Sequence, residues 1–139
     1  EAATLVMLFC VARLSFPDFW QRFAAFSFMF GVWDVFYYVW LYAFIQWPPS
    51  LFTWDILFLI PVAWIGPVWS PVLVSINLIM AAVFLTCLTG KGIVLRPAWY
   101  HWAVAIVGSM ILFASYVAGV TGFLKGTVPV TYHWKWLVA

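Results

Sequence analysis

The sequence predicts an all-α membrane protein with about four transmembrane helices and a half-helix, broken by proline and glycine, that enters the bilayer and returns. Three observations predict it. Hydrophobic residues make up 68% of the chain and charged residues only 7%, so there are too few polar side chains to cover a surface facing water. Apolar runs recur at 2–16, 23–47, 71–89 and 98–124. Between the second and third of these lies a fifth apolar stretch, which Pro61, Gly66, Pro67 and Pro71 break at short intervals. Residues 1–139 are read as a single helical transmembrane domain.

The first run, 2–16, is short for a core of roughly 30 Å at a rise of about 1.5 Å per residue. The chain starts at Glu1 rather than Met, with neither a basic leader nor a small-residue cleavage site. We therefore expect a segment to be missing upstream, which makes any count of spans a minimum. Arg13, Pro17, Asp18 and Arg22 mark a polar connection. The run 23–47 is long enough to span, and Pro48-Pro49-Ser50 stops it because consecutive prolines cannot continue a helix.

From Leu51 to Ile60 only Thr53 and Asp55 are polar. A helix there would cover about half the bilayer, so 51–68 is read as re-entrant, with irregular backbone shielded by protein or a wet cavity. Charge supports this reading. Arg13 and Arg22 flank one loop and Lys91 and Arg96 another, whereas the connection after Trp47 has no basic residue. The positive-inside rule places both basic loops in the cytoplasm, and they share a side only if 51–68 returns rather than crosses.

Asp34 lies within the 23–47 run, where an acid is expensive to keep. Helical spacing groups it with Gly31 and Tyr38, and Tyr37 adjoins. It should be protonated or paired, with Tyr37, Tyr38, Asn77 or an inward-reaching basic group as partner; Asn77 is itself read as an interhelical hydrogen-bonding residue assisted by Ser75. Asp34 is either a proton-exchanging or ligand-holding carboxyl, or a structural bond between helices. Asp55, with Thr53 as N-cap, falls in the first turn of the half-helix and complements its dipole. The alternative sets Asp55 opposite Asp34 as a coupled catalytic pair. GVWDVF and FTWDIL echo each other 21 residues apart, which is too little to define a repeat.

His101, in Trp99-Tyr100-His101-Trp102, is an interfacial anchor or, in the less common case, a haem or chlorophyll ligand. His133 lies in a Trp- and Tyr-rich stretch that reads as an interface belt. The two histidines, with no cysteine nearby, form no metal-ligand set, and no catalytic motif or phosphate loop is present. Cys10 and Cys87 sit in apolar runs and read as buried free thiols. Gly108, Ser115, Gly119, Gly122 and Gly126 form a stripe of small residues on the last span, suited to close approach by another helix. A net charge of +2, dispersed along the chain, gives no nucleic-acid footprint.

The blocks FAAFSFMFGVWDVFYYVWL and LFTWDILFLIPVAWIGPVWSPVLVS, with the opening EAATLVML, resemble an uncharacterised family of bacterial polytopic integral membrane proteins. The likeness spans roughly residues 1–75, is most specific in the two Trp-Asp blocks, and implies a further N-terminal membrane segment. It carries no activity. It does imply residence in a bacterial cytoplasmic membrane.

Two functions follow. The favoured one is a non-catalytic accessory subunit of a larger membrane complex, one that converts energy or transfers electrons, surrounded by lipid and by other subunits. The alternative is a transporter or membrane enzyme working through Asp34, with Asp55 as a second candidate.

Overall fold

The computed structural model describes residues 1–118 and 120, apart from Val94. Contacts divide the chain into two units, one comprising Glu1–Thr53 and Val68–Leu95, the other Trp54–Pro67 and Arg96–Ala139.

The first unit holds three helices: α1 (Ala2–Ser15), α2 (Phe19–Ile45) and α3 (Trp69–Gly90). Each boundary has a local cause. Asp18 caps α2, its Oδ2 accepting the N–H groups of Trp20 at 2.9 Å and Gln21 at 3.4 Å, which satisfies donors that no helical carbonyl reaches. At the far end Gln46 turns left-handed (φ 55°) and its N–H donates to the Tyr42 carbonyl; Pro48 and Pro49 follow. α3 closes on Gly92 at φ +72°, with the Gly92 N–H on Thr89 O and the Ile93 N–H on Leu88 O. That pair of bonds is a Schellman ending, and it needs the conformation glycine adopts without strain.

α2 and α3 pack antiparallel. Asp34 meets Ser75, Gly31 meets Ser75 and Ile79, and the Ala24–Ala25 pair shares a groove with Ala82, Val83 and Thr86, so numbers fall along one helix as they rise along the other. α1 joins α2 through three residues and packs on it, burying Leu8 and Ala12. Arg13 in the last turn of α1, Arg22 in the first turn of α2 and Lys91 just beyond α3 therefore gather at one end of this unit. There Trp20 Nε1 donates to the Leu95 carbonyl at 3.2 Å.

The second unit pairs a β-hairpin with the last helix. Strands β1 (Trp54–Phe58) and β2 (Trp64–Pro67) run antiparallel, with Asp55 opposite Gly66, Ile56 opposite Ile65, and a register break between Ile56 and Phe58. α4 (Trp99–Ala118) packs on β2. The Trp64 ring stacks at 6.0 Å on Tyr116 and meets Phe113 edge-on at 5.1 Å, and Ile65 is buried. Gly66 lies close against both the neighbouring strand and α4, since a Cβ there would stand 3.2 Å from both Leu57 Cδ1 and Tyr116 Cδ1.

The half-helix expected within 51–68 is thus a hairpin. A short apolar run has no periodicity to separate helix from strand, and Trp54, Ile56, Phe58, Trp64 and Ile65 are aromatic or β-branched types that pack well on a pleat. Pro61 falls in the turn and Pro67 ends its strand, places where a missing N–H costs no ladder bond. Thr53 caps nothing: its N–H donates to Ser50 O and its carbonyl accepts from the Val68 N–H.

Among the described residues there are four helices, in agreement with the expected count of about four. Three of them, α2, α3 and α4, are long and apolar enough to cross a membrane, while α1 is shorter. Their surfaces suit that environment: Phe44 is 79% exposed and Val104 71%, side chains that require lipid or protein around them.

Candidate functional site

The chemistry in the first unit centres on the α2–α3 seam. On α2 the residues Ala24, Ser27, Gly31 and Tyr38 are buried, with Asp34 half-buried among them. The steps between 24, 27, 31, 34 and 38 alternate three and four, the spacing that keeps one seam against an antiparallel neighbour. Facing them on α3 are Ser75 and Ala82, both buried. Contact is close at Gly31, where an added Cβ would lie 2.7 Å from the Ser75 carbonyl oxygen and 2.9 Å from Ile79 Cγ1.

One turn beyond Gly31, the Ser75 hydroxyl donates to Asp34 Oδ2 at 2.7 Å. The short distance is that of an O–H to carboxyl bond in a setting with little water. Both partners are fixed by the close approach that Gly31 permits, since a bulkier residue would hold the helices too far apart for a serine to reach.

Of the other residues expected around Asp34, Tyr38 shares its seam on α2 and Tyr37 adjoins it, while Asn77 is engaged on its own helix. Asn77 is exposed, and its amide donates to the Leu73 carbonyl of its own helix at 2.8 Å. Tyr37 is exposed, 6.4 Å ring to ring from Trp33. Tyr38 is buried and stacks on Trp47 with centroids 6.4 Å apart. Ser75, given only an assisting role by sequence, is the residue that reaches Asp34. Its signal was its place four residues before Ile79 and seven before Ala82, on one face of α3.

Asp55 is on β1 rather than in a helical first turn, and its Oδ1 accepts the N–H of Ile56 at 2.8 Å. Cys10 and Cys87 are free thiols, but they are exposed on α1 and α3, not buried. His101 is exposed in the first turn of α4, its ring 4.2 Å from that of Tyr100. On the expected α4 packing stripe, a Cβ at Gly108 would meet nothing within 4 Å, and Ser115 Oγ donates to Leu112 O. Gly119, Gly122, Gly126 and His133 lie outside the described residues. Among the described residues no three His, Cys, Asp or Glu side chains gather as a metal site.

Two grooves border the seam. One, about 420 Å³, is lined by Val35, Tyr38, Tyr42, Pro48 and Val72 among others, next to the end where α2 stops. The other, about 540 Å³, lies at the basic end. Compared with known proteins, the chain matches no family model, no curated protein and no solved structure.

Proposed function

We propose that the protein is an integral membrane protein serving as a small accessory subunit of a larger membrane complex, with Asp34 as an internal fastener. The carrying observation is the Ser75–Asp34 bond: the acid within the α2 span is engaged between two helices of the same chain, one turn from the close contact at Gly31. A polar bond buried in this way fixes the register of two otherwise smooth apolar helices. The exposed Phe, Trp and Val side chains of α2 and α4 then form the surface that lipid and neighbouring subunits cover. The basic end, with Arg13, Arg22 and Lys91, faces the cytoplasm under the positive-inside rule, and a bacterial cytoplasmic membrane fits that polarity.

The test is gentle solubilisation from native membranes, with mass spectrometry of co-purifying chains and a visible spectrum of the same peak. Stoichiometric partner chains are the expected result, and pigment in the spectrum would bring His101 forward as its ligand. A colourless protein running alone overturns the subunit reading.

One observation favours a second reading, a transporter or membrane enzyme. Val35 and Tyr38, which follow Asp34 by one residue and by one turn on α2, line the 420 Å³ groove. Asp34→Asn separates the two readings. A protein that keeps its partners and only melts earlier supports the fastener; loss of a transport or catalytic activity at unchanged melting temperature supports the second reading.

A further inference from the structure

The 540 Å³ groove at the basic end of the first unit has a composition that names its occupant. Its floor is apolar, made by Ala25, Phe28, Met29 and Val83, and its upper rim carries Gln21 and Ser15. From Gln21 to Met29 it runs about 12 Å along α2, most of the roughly 15 Å depth of one leaflet's hydrocarbon. Three cations stand at this end of the unit, close in sequence to groove residues: Arg13 in the last turn of α1, Arg22 in the first turn of α2 and Lys91 at the C-cap of α3. Arg13 and Lys91 are exposed, and Arg22 is held at the rim by its Nε, which donates to the carbonyl of Phe16 at 2.7 Å, Phe16 being itself a groove residue. Asp18, the acid at this end, caps α2. Phe19, Trp20 and Phe23 pack ring on ring beside it, the aromatic belt of a headgroup zone.

We propose that this groove binds an anionic phospholipid, with one acyl chain along Ala25, Phe28 and Val83 and the phosphate among Arg13, Arg22 and Lys91. Charge complementarity selects the occupant. A zwitterionic lipid fills the same apolar floor but gains no net attraction at the rim, whereas each basic residue near an anionic headgroup is worth about fivefold in binding. The inference rests on the membrane reading above.

The experiment is native mass spectrometry of the full chain in detergent micelles doped equally with phosphatidylglycerol and phosphatidylcholine. The wild type should carry phosphatidylglycerol in clear excess. Arg13→Gln/Arg22→Gln/Lys91→Gln should lose the excess while keeping its helical circular dichroism, and Ala25→Phe, which fills the floor, should lose both adducts. Cys87 lines the groove, so in Cys10→Ser protein phosphatidylglycerol should slow alkylation of Cys87 more than phosphatidylcholine does. Equal retention of the two lipids by the wild type, or an excess that survives replacement of all three cations, overturns the site. Extraction of membranes with alkaline carbonate keeps the two readings apart: release of the protein sinks the membrane reading itself, and retention without lipid preference sinks the lipid site alone.

Discussion

Replacing Gly31 by alanine puts a methyl group 2.7 Å from a backbone oxygen on the facing helix, and backbone has no rotamer with which to yield. The helices must part, so Gly31→Ala should destabilise the first unit by about 1–3 kcal/mol, measured as unfolding in mixed detergent, with Gly108→Ala, which meets open space, as the neutral control. Ser75→Ala removes the donor to Asp34 and should cost about 0.5–1.5 kcal/mol, the range of interhelical hydrogen bonds in membranes. The two losses should fall short of adding in the double variant, because Gly31 sets the distance that the serine bridges. Asp34 was legible in the sequence because the cost of an acid in hydrocarbon needs no structure to estimate. Its partner was not. Periodicity groups residues on one helix, as it did for Asp34 and Tyr38, but the pairing with Ser75 depends on the register between two helices, which no local pattern contains. The same limit left the seam on α2 unread, because Ala24, Ser27 and Gly31 are hidden among its aromatics.

Among the elements, α2 and α3 were legible to within a few residues, since Pro48-Pro49 and the Gly-Lys-Gly run at 90–92 punctuate long apolar stretches. The start of α2 lay four residues earlier than expected because Asp18 caps it. Asp18→Ala should therefore lower stability by about 0.5–2 kcal/mol, and amide exchange should quicken at Trp20 and Gln21 before it does in the middle of α2. The segment 51–68 was misread as helical on length and apolarity, although its aromatic and β-branched content favoured a strand. The hairpin it forms depends on Gly66, which admits Leu57 and Tyr116 at van der Waals range. Gly66→Val should force both side chains aside, seen as a changed near-ultraviolet dichroism from Trp64 and Tyr116 with the helical signal preserved.

For the whole molecule, the antiparallel seam turns a charge rule into a placement. With α2 and α3 running in opposite directions, the 16–18 and 91–92 connections share a side and 48–50 lies on the other. Single cysteines at Pro17, Gly92 and Pro49, in a background with Cys10 and Cys87 replaced by serine, should label accordingly with an impermeant maleimide: the first two alike, the third opposite. The charges of Arg13, Arg22, Lys91 and Arg96 led to the same expectation, which the labelling tests, but with a broken helix between the loops where the chain forms a β-hairpin. That return has a closed neck. The Val68 N–H donates to Thr53 O and the Trp69 N–H to Leu51 O, so the chain leaves the first unit and re-enters it through one clasp of main-chain bonds. In the language of chain topology the hairpin is an excursion rather than a link. The loop entropy that joins α2 to α3 is fixed at the clasp, whatever the length beyond it, and that length is therefore free to change, by insertion or excision, without asking the helices to meet anew.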